Sequence, residues 1–84
     1  MQTLEVLRVQ IDEIDAQIKQ LLDRRFDISI AVGKVKKNAG TAVLDKARER
    51  EIIASIEDDK TLKHSGEIAG VYRAIMSGSR KLQK

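Results

Sequence analysis

The stretch LLDRRFDISIAVGKVKK, residues 21–37, decides the fold, because it carries an apolar repeat and interrupts it with charge. Outward from it, Leu4, Leu7, Ile11, Ile14, Ile18, Leu21, Ile28, Val32 and Val35 recur at alternating steps of three and four, and the step after Leu21 falls on Arg25. That spacing lines one face of an α-helix. No glycine occurs from Thr3 to Val32, and no proline occurs anywhere in the 84 residues, so nothing breaks a single long helix. Thr3 is placed to cap its start, and Gly40 of KNAG to end it in a left-handed conformation. Gly33 costs the helix roughly 1 kcal/mol relative to alanine. Either another backbone approaches closely there or the glycine is simply tolerated near a helix end.

Downstream, Asp45 is a suitable cap for a second helix through KAREREIIASIEDD, residues 46–59, with Glu49, Ile52, Ile53 and Ile56 on one face. A third helix over 65–82 puts Ile68, Tyr72, Ile75, Ser79 and Leu82 on one stripe, and DKTLKHSG, residues 59–66, reads as the loop between. The expected fold class is therefore all-α, one domain over residues 1–84 with three helices. At ~1.5 Å per residue the first helix is ~50 Å long, more than the diameter of a compact chain of this length. Its stripe needs a partner, and a second copy in a two-fold homodimer is the expected one.

Composition narrows the function. The formal charge is +3, acidic residues are interleaved with the 16 Lys and Arg, and Phe26 and Tyr72 are the only aromatics, so neither a basic block nor a stacking platform suggests nucleic acid. No apolar run approaches the ~20 residues that span a bilayer, and the N-terminus mixes charge with aliphatics rather than forming a signal peptide, so no membrane partner is expected. The absence of cysteine fits a reducing, cytoplasmic setting.

Polar side chains on the apolar faces supply the candidate site: Arg25 and Lys36 on the first helix, Glu49 on the second, Ser79 on the third. Lys36 lies eleven residues after Arg25, about three turns plus 20°, so the two cations share a face ~16 Å apart and can bracket a small ligand. Each has an unremarkable explanation by itself: Arg25 snorkelling to solvent, Lys36 at a helix C-terminus, Glu49 paired with Arg25, Ser79 bonded to its own helix. Four on three helices favour an anion site, since surplus buried positive charge is costly without a counter-charge. If two first helices pair antiparallel about residue 19, Arg8 of one chain falls opposite residue ~30 of the other, between Arg25 and Lys36; within one chain it is ~25 Å from Arg25. No nucleophile with an adjacent base is present, His64 falls in the loop-like segment, and no metal-ligand spacing occurs, so neither metal nor cofactor is expected. Such a site suits a dianionic ligand and a reaction driven by conformational restraint and electrostatics.

These residues resemble the all-α class of chorismate mutase over nearly the whole chain. LRVQIDEIDAQIKQLLDRR resembles that family's opening helix, VGKVK its lysine segment, VLDKARERE its Asp-x-x-Arg-Glu segment and VYRAIMSGSRKLQ its closing Ser-x-x-x-Gln helix. The resemblance implies an intertwined homodimeric helical bundle that converts chorismate to prephenate in phenylalanine and tyrosine biosynthesis. It implies that Arg25 and Arg8 of the partner subunit hold the two carboxylates, with Ser79 and Arg48 assisting. Lys36 and Gln83 would donate to the ether oxygen, and Glu49, with the backbone near Asp45, would hold the ring hydroxyl. Ala42 stands where family members often have proline. An isochorismate pyruvate lyase of similar fold and a non-catalytic helical dimerisation module are the alternatives; the first matches DKARE less well, and the second leaves the polar cluster unexplained.

Overall fold

A computed structural model describes residues 2–84 and contains three α-helices: α1 (Leu4–Ala39), α2 (Lys46–Glu57) and α3 (Ser65–Gln83). The expected all-α class holds, and the boundaries follow local chemistry. The Thr3 hydroxyl accepts the Val6 N–H at 3.2 Å and the Asp45 carboxylate accepts the Arg48 N–H at 3.0 Å, each satisfying a donor that the first helical turn leaves unpaired. Gly40 ends α1 at φ 69°, and the next N–H, of Thr41, returns to the Lys36 carbonyl at 2.8 Å. In the α2–α3 connection the Thr61 N–H and hydroxyl donate to the Asp59 carboxylate at 2.9 and 2.6 Å, which holds that carboxyl below its ordinary pKa of 3.8.

Packing is lopsided. Helix α3 lies against both α1 and α2, whereas α1 and α2 do not pack against each other, so the ends of α1 and α2 enclose a gap floored by α3. At 19 residues against 36, α3 covers only part of α1, and every residue from 2 to 21 is exposed. The chain measures 57 × 25 × 16 Å with a radius of gyration of 16.1 Å, where a compact chain of this length would have about 12 Å. Among the described residues the buried apolar side chains are Ile56, Ala69 and Met76, while the nine aliphatics of the α1 stripe are 39–68% exposed. So small a core is far below what a free-standing domain needs.

On α3 the buried face differs from the expected one. Ala69, Met76 and Ser79 are buried and Tyr72 and Gln83 half-buried, whereas Leu82, placed on the inward stripe by its spacing, is 43% exposed. Two stripes cross at Tyr72 and Ser79, one through Ile75 and Leu82 and one through Met76 and Gln83. Both stripes turn inward as far as Ser79, with Ile68 and Ile75 half-buried as expected, and only in the last turn does packing take Gln83 in place of Leu82.

Candidate active site

The gap between α1 and α2 forms a cavity of about 260 Å³, and seven of the eight residues singled out from the sequence line it: Arg25, Lys36, Asp45, Arg48, Glu49, Ser79 and Gln83. Arg8 does not. It is exposed on the bare N-terminal half of α1, as its distance along the helix requires. Ile28, Val32, Val43, Ile52 and Met76 supply the apolar wall.

One end of the cavity is organised by Lys36. Its ammonium donates to the Val43 carbonyl and to Gln83 Oε1, both at 2.8 Å, and so ties the α1 C-terminus to the α1–α2 connection and to the last turn of α3. Gly33 makes this approach possible. A Cβ there would stand 2.7 Å from Gln83 Cα and 2.8 Å from its carbonyl oxygen, closer than side-chain carbons come to backbone. The close-approach explanation of Gly33 is the correct one.

Gln83 continues the network. Its Nε2 donates to Ser79 Oγ at 3.1 Å, Ser79 Oγ to Ser29 Oγ at 2.7 Å, and Ser29 Oγ to the Arg25 carbonyl at 3.1 Å. Both serines are buried. Arg25 itself is half-buried, its guanidinium carbon 5.8 Å from the centre of the Tyr72 ring, a cation–π distance.

At the other end, Glu49 is not paired with Arg25. Arg80 Nη1 sits 2.6 Å from both of its carboxylate oxygens and balances its charge from α3. Arg48 rims the cavity with its side chain 62% exposed and pairs with Glu51 one turn along. Asp45 spends a carboxylate oxygen on the α2 cap. Among the described residues neither Arg25 nor Lys36 forms an ion pair, so the cavity presents two uncompensated cations to whatever it holds.

Two of these residues are absent from the sequence-based set. Arg80 carries no signal of its own among the 16 Lys and Arg, because its role depends on α2 being alongside. Ser29 carried a usable signal, since positions 25, 29 and 36 fall on one face of α1.

Three helices whose long first member is bare over its N-terminal half and, with the two short ones, lines a cation-rich cavity over its C-terminal half define a class of small all-α proteins. Residues 7–84 match the Chorismate mutase type II family, and the chain belongs to that family. Over its full length it is 32% identical to the bifunctional chorismate mutase/prephenate dehydratase of Aquifex aeolicus, of which it covers 25%. It is 38% identical over 50 residues, 60% of its length, to the intracellular chorismate mutase of Mycobacterium tuberculosis, of which that match covers 48%. The chain thus spans a quarter to about half of these curated relatives. A conserved hypothetical protein from Pyrococcus furiosus has the same fold, with 33% identity, a TM-score of 0.81 and coverage of 100% of this chain and 99% of that one.

Proposed function

We propose that this chain is a chorismate mutase, rearranging chorismate to prephenate on the route to phenylalanine and tyrosine in the cytoplasm. The observation that carries the assignment is a count of donors at the Lys36–Gln83 pair. An ammonium has three N–H groups and a primary amide two. Lys36 uses two internally and Gln83 one. One N–H from each is left, on groups held 2.8 Å apart at the cavity wall.

The reaction breaks one carbon–oxygen bond and makes one carbon–carbon bond within a single molecule, with no proton transfer and no covalent intermediate. Two things can accelerate it: holding the enolpyruvyl side chain over the ring, and stabilising negative charge that grows on the ether oxygen. The paired N–H groups of Lys36 and Gln83 serve the second. Because they meet more charge in the transition state than in the substrate, they raise kcat rather than only tightening binding. Arg25 anchors one carboxylate, with Arg48 assisting from the rim. Glu49, steadied by Arg80, and the backbone near Asp45 hold the ring hydroxyl.

Arg48 and Arg80, the other cations lining the cavity, are paired with Glu51 and Glu49, so the second carboxylate calls for a cation from elsewhere, and the bare α1 stripe requires an apolar cover. One assembly meets both needs: an intertwined homodimer in which antiparallel first helices bury the stripe and Arg8 of the partner subunit closes the site. No helix among the described residues is long and apolar enough to cross a membrane. The test is to mix purified protein with chorismate, follow the loss of its absorbance and identify the product. Prephenate is expected. Pyruvate release from isochorismate would make the protein a lyase, and no turnover of either would leave a helical dimerisation module.

A further inference from the structure

We infer that Ser29 is a positioning residue for the reaction proposed above, because it fixes the Ser79 hydroxyl that holds the Gln83 amide. The direction of the bonds at the Gln83 end of the network follows from Lys36. Lys36 has donors only, so the Gln83 atom facing it must be the carbonyl oxygen. That turns Nε2 toward Ser79, whose oxygen must then accept. A hydroxyl has one proton, and that of Ser79 points to Ser29 Oγ at 2.7 Å. Ser29 accepts it and sends its own proton to the Arg25 carbonyl at 3.1 Å, an acceptor that cannot donate back. The chain of bonds so assigned runs from Lys36 to Arg25. The Ser29 hydroxyl can also turn from the Arg25 carbonyl, which already accepts the Ser29 N–H within α1, to Ser79 Oγ, and in either arrangement Ser29 supports the oxygen that holds Gln83.

Two consequences follow. Ser79 Oγ accepts from the Gln83 amide whichever way its own proton turns, so it holds Gln83 in addition to the substrate contact the resemblance implied. Ser29, four residues after Arg25 on α1, acts on the chemistry only through Ser79. Both hydroxyls are buried and no buried side-chain nitrogen or oxygen among the described residues is left unpaired. Each buried member of the network thus has a partner within the chain, and removing one is felt by the others.

The test combines Ser29→Ala, Ser29→Thr, Ser79→Ala and the double variant Ser29→Ala/Ser79→Ala. Losing one hydrogen bond of ordinary strength, about 1 kcal/mol, lowers kcat about fivefold in Ser29→Ala. KM stays at the parental value, because the charged groups that bind the carboxylates are unchanged. Ser29→Thr, which keeps the hydroxyl, restores kcat. The double variant loses no more than Ser79→Ala alone, since Ser29 has no other route to the reaction. A general packing role would instead give additive losses and a raised KM, and that result overturns the inference.

A second measurement needs no substrate. In 15N-labelled protein the Gln83 side-chain amide proton bonded to Ser79 exchanges more slowly with water than its geminal partner in the parent and about fivefold faster in Ser29→Ala, with Ser29→Thr close to the parent. Unchanged exchange in Ser29→Ala overturns the network whatever the activity. A parent that leaves chorismate unreacted but shows this exchange pattern refutes the assigned reaction and leaves the hydrogen-bond network standing.

Discussion

Replacing Gly33 by alanine separates catalytic geometry from stability more cleanly than any change to a charged residue. The new Cβ would stand 2.7 Å from Gln83 Cα, against ordinary contact beginning near 3.4 Å, so one helix must retreat by about 0.7 Å. The obstacle is backbone, which cannot rotate aside, and the part that gives way is the last turn of α3. For stability two effects oppose: alanine improves the helix by roughly 1 kcal/mol, while overpacking costs about 1–3 kcal/mol. The net loss is at most about 2 kcal/mol. For activity nothing opposes the shift, since it moves the Gln83 amide directly, and a misplacement approaching 1 Å costs on the order of 10²-fold in rate. The expected result is a folded protein, modestly less stable, with kcat reduced by about two orders of magnitude. Steady-state kinetics on chorismate with urea denaturation measures both. Gly70→Ala is the control, because a Cβ there meets nothing within 4 Å; it should keep full activity. A Gly33→Ala protein with parental kcat would refute the claim that the α1–α3 approach sets the position of Gln83.

Three further outcomes are expected. Arg8→Ala and Lys36→Ala chains, each inactive by itself, should regain activity on subunit exchange, because one site of the hybrid dimer carries both changes and the other neither; exchange without recovery would refute a shared site. Arg25→Leu should abolish turnover while changing stability by no more than about 1 kcal/mol, the scale of its contact with Tyr72; a variant that melts lower yet turns over chorismate well would make Arg25 structural. Gln83→Glu should be active in acid and lose activity as pH rises, since a carboxyl donates only while protonated, with about 4.3 as the reference pKa for the new group; a kcat/KM profile matching the parent in shape and height would remove Gln83 from the ether oxygen.

The sequence by itself determined the three helices, their caps at Thr3, Asp45 and Gly40, and the bare apolar stripe of α1, all of which depend on residues within a turn or two of one another. It also singled out Arg25, Lys36, Glu49, Ser79 and Gln83, because polar groups stand out against a helical period and the closing motif matches a known family. Tertiary structure alone decided the rest. Periodicity assigns a helix face only to within one residue, about 100° of rotation, and α3 offered two overlapping stripes; contact with α1 and α2 together turned Met76 and Gln83 inward and left Leu82 outside. The partner of Glu49 lies 31 residues away at Arg80 and that of Ser79 lies 50 residues away at Ser29. Which side chains meet at such separations depends on the angle and offset at which α3 crosses its neighbours. That geometry is set by the sum of many small packing contacts, and the backbone approach at Gly33 is where it becomes specific enough to place an amide beside an ammonium.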